Sequence, residues 1–308
     1  MDIVFMGTPE FAVPCLERLV SDGHNVKGVF TQPDKPKNRG MVMQFPPVKE
    51  CAVKYNIPVF QPQKMRDGTA LEILKELNPE LIIVVAYGKI LPEEILNFPK
   101  YGCVNMHASL LPRYRGAAPI QWCVINGEKE SGVTAMQMDA GLDTGDMLLT
   151  KTVIIDENMT AGELHDKLSV LGADVMSETI NNIISGTLNP VKQDDSLSNY
   201  APMLSKELCP IDWSLSAQVV HNKVRGLSPW PVATTEINGK KVKIHKTELL
   251  GKTKGQAGQV IKADKELVVA CGDGNAVRIV TLQAEGKRAM SAEDYLRGNK
   301  IEEGIILK

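Results

Sequence analysis

A doubly wound, mostly parallel α/β sheet followed by a small β-barrel domain is the architecture this sequence predicts, on three observations. The run Leu81-Ile82-Ile83-Val84-Val85-Ala86 is continuously apolar, as a strand covered on both faces must be. Apolar runs alternate with segments of helical spacing through residue 186, the signature of βαβ units. Past residue 208 the pattern changes to short β-like runs broken by Asn-Gly, Gly-Gln and Asp-Gly turns, as in a small closed barrel. The polar, aperiodic stretch Asp194-Asp195-Ser196-Leu197-Ser198-Asn199 marks the join. It divides the chain into a first domain over 1–189, a linker over 190–207 and a second domain over 208–308.

The elements follow in order. Residues 2–7 form an apolar opening strand, and Thr8-Pro9-Glu10 offers a capping hydroxyl and a proline at the first helical position. Ala12, Cys15, Leu16, Leu19 and Val20 repeat at helical spacing until Gly23, and residues 25–31 read as the next strand. Such a unit raises dinucleotide binding. Gly7-Thr8-Pro9-Glu10-Phe11, however, lacks the G-x-G-x-x-G glycines, which argues against nicotinamide or flavin. Residues 32–49 combine prolines, Gly40 and four basic residues, and so read as a long mobile loop, better suited to binding than to idle insertion. Helices are expected over 48–56, 69–77 and 117–126, with strands over 132–139 and 147–155. Thr160 and Glu163 form a capping box, and Leu164, Leu168, Leu171 and Val175 line one face of the helix that runs on to Gly186. In the second domain a helix near 216–225 precedes β-like runs at 232–236, 241–247, 258–262, 267–270 and 277–282.

Composition narrows the class. The 308 residues are 43% hydrophobic and 23% charged, with no apolar run long enough to span a bilayer, so no membrane association is expected. Six scattered cysteines without Cys-x-x-Cys spacing suggest buried thiols in a reducing compartment rather than disulfides or zinc. No metal is expected. Met1-Asp2 leads straight into Ile3-Val4-Phe5-Met6 with no visible targeting segment, which suits the cytoplasm. The net charge of −2 hides an asymmetry: residues 204–308 carry 17 Lys and Arg against 12 Asp and Glu. A basic C-terminal third fits either a solubilising face or an appended nucleic-acid-binding module.

The chemistry concentrates in residues 102–116. Gly102-Cys103-Val104-Asn105-Met106-His107 reads as a strand, so Asn105 and His107 share one face while Val104 and Met106 take the other. Pro112 cannot continue the ladder. Asp143 lies in a Gly-flanked loop after a strand, with Asp139 and Asp146 beside it, and could meet the end of the Asn105/His107 strand. A carboxylate there would set the tautomer of His107, and the Asn105 amide could hold an oxyanion. A protein nucleophile is missing: Ser109 lies outside any G-x-S-x-G elbow, and Cys103 reads as a packed thiol. Acyl transfer to a nucleophile supplied by a substrate fits these residues. A packed core histidine beside an asparagine turn fits them equally. His24, His165, His221 and His245 read as structural or exposed.

Asn105-x-His107-x-Ser109-Leu110-Leu111-Pro112 with Asp143 resembles the folate-dependent formyltransferases. So do Phe5-Met6-Gly7-Thr8-Pro9-Glu10-Phe11, Thr31-Gln32-Pro33-Asp34, Val85-Ala86-Tyr87-Gly88, Arg115-Gly116-Ala117-Ala118-Pro119 and the block 137–146, with Ile211-Asp212-Trp213 and Pro229-Trp230-Pro231 in the second domain. The likeness covers nearly the whole chain and points to members that act on charged initiator tRNA. It implies a Rossmann-like catalytic domain and an OB-like β-barrel, working as a monomer without a metal. It implies that 10-formyltetrahydrofolate donates its formyl group to the α-amino group of initiator methionyl-tRNA. Carried over by position, Asn105, His107 and Asp143 are catalytic. Ser109, Leu110, Leu111 and Pro112 contact the folate, with Lys89, Leu91 and Asp139 at the pterin pocket. Arg39, Lys35 and Lys37 reach the tRNA, and the barrel's basic face holds its backbone. Met41-Val42-Met43 stands where many relatives carry further lysines, which shifts weight to Lys35 and Lys37. Arg113 and Arg115 fit either a tRNA contact or a solvated rim. The rivals are transfer to a small-molecule amine, hydrolysis of formyl-folate, and a non-catalytic RNA-binding protein on a retired enzyme fold.

Overall fold

Four consecutive residues of β1 (Asp2–Gly7), Ile3 to Met6, are fully buried, as a strand at the centre of a covered sheet requires. The computed structural model describes residues 1–37 and 42–308. After β1 come a 3-10 turn at Glu10–Ala12, α1 (Val13–Ser21), β2 (Asn25–Phe30), β3 (Lys35–Lys37), β4 (Val42–Gln44), α2 (Pro47–Lys54) and β5 (Val59–Phe60). Next are α3 (Thr69–Leu77), β6 (Leu81–Val85), α4 (Glu93–Leu96), β7 (Cys103–His107), β8 (Arg115–Gly116), α5 (Pro119–Ile125), β9 (Glu130–Gln137), β10 (Met147–Ile154) and α6 (Ala161–Ser185). The remainder is β11 (Tyr200–Ala201), α7 (Ala217–Gly226), β12 (Ala233–Ile237), β13 (Lys240–Lys252), β14 (Val260–Ala263), β15 (Leu267–Ala270), β16 (Asn275–Ala284), β17 (Met290–Ser291) and α8 (Ala292–Gly298).

The chain separates into two units by its internal contacts. Unit 1 is Met1–Gly116, Ser131–Val153 and His165–Tyr200; unit 2 is Ala117–Glu130, Ile154–Leu164 and Ala201–Lys308. In unit 1 the sheet order is β10-β9-β7-β6-β1-β2-β5. The pairs from β5 through β7 are parallel, and β9 runs antiparallel to β7. Helix α6 opens on a complete capping box: Thr160 N donates to Glu163 Oε2 at 2.8 Å, and Glu163 N to Thr160 Oγ1 at 3.2 Å.

Two expectations change. Thr8 does not cap a helix: α1 starts only at Val13, with Pro14 in its first turn. The Thr8 hydroxyl instead donates to Tyr87 O (3.2 Å) and accepts from Gln32 N (3.1 Å), tying together the ends of three strands. The segment 32–49 is not simply a loop either, since β3 and β4 pair antiparallel within it and α2 begins at Pro47.

Unit 2 is built on an antiparallel sheet of order β12-β13-β16-β15-β14, with β17 beside β16. Register shifts between Ile244 and Thr247, and again near Leu250, let the thirteen-residue β13 bend through the sheet. The end strands β12 and β14 are bridged by the last residues: Glu236 N donates to Lys308 O at 2.7 Å, and Val260 N to Ile305 O at 2.9 Å. Trp213, Val220, Val224, Ile244, Leu282 and Tyr295 share the core with Ala118 of the α5 segment. Each large aliphatic side chain buried there contributes about 1.5–3 kcal/mol. No described helix is long and apolar enough to cross a membrane.

Candidate active site

Strand β7 lies between β6 and β9, with Asn105 opposite Val84 and Met136, and His107 opposite Thr134. Its other face is packed, because a Cβ on Gly172 of α6 would strike the Met106 side chain. Asn105 and His107 therefore emerge near the carboxyl end of a mostly parallel sheet, where open α/β sheets place their ligands.

The His107 ring is buried, at 6% exposure. Its Nε2 stands 2.9 Å from the Tyr114 carbonyl oxygen, which can only accept, so Nε2 carries the hydrogen. Nδ1 faces Asp143 Oδ2 at 3.7 Å, within reach of an ion pair and too far for a hydrogen bond. The tautomer is thus set by the Tyr114 carbonyl and not, as the sequence suggests, by the carboxylate. Asp143 Oδ2 accepts from Gly116 N at 2.8 Å. Asp143 and Tyr114 hold φ of +54° and +59°, a left-handed backbone that costs a non-glycine residue about 1–2 kcal/mol. Among the described residues the half-buried Asn105 amide makes no hydrogen bond, which leaves its donors available.

The lip after His107 is braced from beneath. Ser109 is buried, its Oγ donating to Arg113 O at 2.6 Å. Thr134 Oγ1 donates to Ser109 O at 2.8 Å and accepts from Leu111 N at 3.3 Å. Leu111 is buried, the Leu111–Pro112 peptide is cis, and Leu110 packs where a Cβ on Gly132 would otherwise sit. Leu110 and Pro112 are the partly open members of the lip.

Lys89 and Leu91 follow the carboxyl end of β6, the strand that pairs with β7. Lys89 Nζ donates to the carbonyls of Pro62 and Gln63, and burial lowers its pKa. Leu91 is packed with Met65, Tyr87 and Ile95, leaving Ile90 as the exposed side chain between them. Asp139 is exposed and closes its own turn, accepting from Gly141 N (3.0 Å) and Thr144 Oγ1 (2.7 Å). Lys35 is exposed on β3, while Arg39 and the side chain of Lys37 lie outside the described residues. The root of that segment is locked. Lys49 Nζ meets Asp34 Oδ2 at 2.6 Å and, with the Gln61 amide, holds the Asp34 carboxyl below the usual carboxylate range.

Two further features complete the site. Burial pushes the Cys103 thiol up to about 12, so it stays protonated and offers no nucleophile. Gln193 and Asn199 lie in the stretch that reads as linker, yet both bond to loops around His107. Gln193 Nε2 donates to Asp143 O, and Asn199 Oδ1 accepts from Tyr114 N. Nothing in their polar, aperiodic surroundings distinguishes them from solvated linker. No group of three or more His, Cys, Asp or Glu able to hold a metal occurs among the described residues.

Comparison with known proteins adds to this geometry. A family model described as formyl transferase matches residues 1–180, and one for the formyl transferase C-terminal domain matches 203–300. Methionyl-tRNA formyltransferase of Clostridium novyi (strain NT) is 54% identical, with all of both chains covered. That of Geobacter metallireducens is 51% identical over all of this chain and 98% of its own. Among solved structures, the sugar 3N-formyl transferase WlaRD, with dTDP and 5-N-formyl-THF, superposes with a TM-score of 0.71 at 22% identity. It covers 94% of this chain and 99% of that one. HypX from Aquifex aeolicus superposes at 0.66 and 19% identity, over 97% of this chain and 49% of its own. At these identities the likeness is one of fold.

Proposed function

The chain belongs to the formyl transferase family, and on that premise we infer that it transfers a formyl group to the α-amino group of initiator methionyl-tRNA, for translation initiation. The observation that carries the acceptor is full-length identity of 54% to methionyl-tRNA formyltransferases, through both matched regions. The family uses formyl-tetrahydrofolate donors, and we propose 10-formyltetrahydrofolate as the one used here. The enzyme acts as a cytoplasmic monomer in this reading, which sedimentation and cell fractionation test.

In the proposed mechanism Asn105, His107 and Asp143 do the chemistry. The methionine amine forms a bond to the formyl carbon, and the bond from that carbon to the folate nitrogen breaks. One proton passes from the amine to the leaving nitrogen. The Asn105 amide donates to the oxyanion of the tetrahedral intermediate. Because the Tyr114 carbonyl occupies Nε2, the proton that His107 gains or loses sits on Nδ1, facing Asp143. Asp143 holds that imidazolium by charge and relays the proton. Leu110 and Pro112 form the folate-facing edge of the lip, with Ser109 and Leu111 as its support and Lys89, Leu91 and Asp139 toward the pterin. For the tRNA we propose Lys35, Lys37 and Arg39, together with phosphate contacts from exposed Lys241 and Lys243 on β13.

The test incubates purified protein with 10-formyltetrahydrofolate and either charged initiator or elongator methionyl-tRNA, and follows N-formylmethionine. His107→Ala and Asp143→Ala should each lower kcat by about 10²–10⁴-fold. Asn105→Ala should lower it by roughly 10²–10³-fold while folate binding persists. Near-wild-type turnover in these variants refutes the catalytic assignment, and formate release without an amine acceptor marks a hydrolase instead.

A further inference from the structure

We propose that Gln193 is a positioning residue for the transfer, fixing the loop that carries Asp143 against the backbone that orients His107. The proposal rests on the catalytic reading of those two residues. The Gln193 amide uses both of its ends. Nε2 donates to Asp143 O and to Gly145 O, each at 2.8 Å, and Oε1 accepts from Arg115 Nε at 3.0 Å and Nη2 at 2.8 Å. Carbonyl oxygens only accept and a guanidinium only donates, so these partners dictate the amide's orientation.

The effect is to join two loops. One is 113–116, which supplies the Tyr114 carbonyl to His107 Nε2 and the Gly116 N–H to Asp143 Oδ2. The other carries Asp143 itself, in the left-handed backbone conformation noted above. Donation to the carbonyls at 143 and 145 brackets the strained peptide. Asn199 pins the first loop from the same segment, its backbone carbonyl accepting from Arg115 N at 3.0 Å and its Oδ1 from Tyr114 N at 2.5 Å. Arg115, with a side chain only 12% exposed, is held in this clasp rather than offered to tRNA, and its second partner Asp195 is 82% exposed. A carboxylate that must meet Nδ1 across 3.7 Å depends on such bracing.

The experiment compares Gln193→Ala and Gln193→Glu in the full chain. Glutamate still accepts from Arg115 but cannot donate to the two carbonyls. Both variants should lose about 10- to 100-fold in kcat with KM for folate and for methionyl-tRNA within about two-fold, since misplacement of roughly 1 Å costs that order. Asp195→Ala, which removes only the exposed partner, should leave kcat intact. If Gln193→Ala does not fold, Gln193→Glu carries the test alone. The decisive readout is the double variant: in an Asp143→Ala background Gln193→Glu should cost nothing further. Wild-type kcat in Gln193→Glu, or an equal penalty with and without Asp143, overturns the proposal. Wild-type turnover in Asp143→Ala overturns the catalytic reading instead.

Discussion

At the scale of single residues, Thr134 shows how an unremarked side chain holds the site's rim. Its fully buried hydroxyl joins the Ser109 carbonyl and the Leu111 amide from the neighbouring strand. Thr134→Val keeps the shape and strands both backbone groups, which should lower stability by about 1–3 kcal/mol in denaturant unfolding. Loss below a few tenths of that contradicts the bracing role. The pair Asn105 and His107 was legible because strand alternation alone puts them on one face. The Tyr114 carbonyl that sets the histidine tautomer was not, since a backbone oxygen leaves no mark in a sequence.

At the scale of elements, α7 carries a titration that the fold must accommodate. His221 is 1% exposed, with Nδ1 at 2.9 Å from Thr247 Oγ1 and Nε2 at 3.1 Å from Glu157 O. Burial lowers its pKa, the Glu157 carbonyl partly opposes this, and Arg225 adds to the lowering. The unfolded chain then binds more protons than the native one as the pH falls through the ordinary histidine value of about 6.5. Stability is therefore present above that pH and is lost as acid is added. The unfolding midpoint should drop between about pH 7 and pH 5.5, and His221→Gln should flatten part of the drop. His24, lowered by burial in the same direction, accounts for another part. An unchanged slope in His221→Gln refutes the assignment. Elements with strong local grammar were readable: the apolar β6, and α6 with its capping box and terminal Gly186. Four-residue α4, two-residue β5 and three-residue β3 and β4 are too short to show a period.

At the scale of the whole molecule, the second unit recruits residues 117–130 and 154–164 from between segments of the first. Gly226 of α7 lies so close to Ile125 of α5 that any Cβ would collide with its side chain and backbone, and Trp122 and Ile125 pack on the unit 2 core. A fragment ending at residue 203 would therefore leave the apolar face of α5 uncovered. It should bind an anilinonaphthalene dye and elute as aggregates, and a monodisperse, dye-silent fragment would contradict this. The same packing sets a clock during synthesis. Helix α5 ends at Ile125 and its partner α7 begins at Ala217. At ribosomal rates of about 5–20 residues per second, the stripe waits on the order of 5–20 s for its cover. For that interval the nascent chain presents a chaperone with the surface on which it will later build half of its architecture.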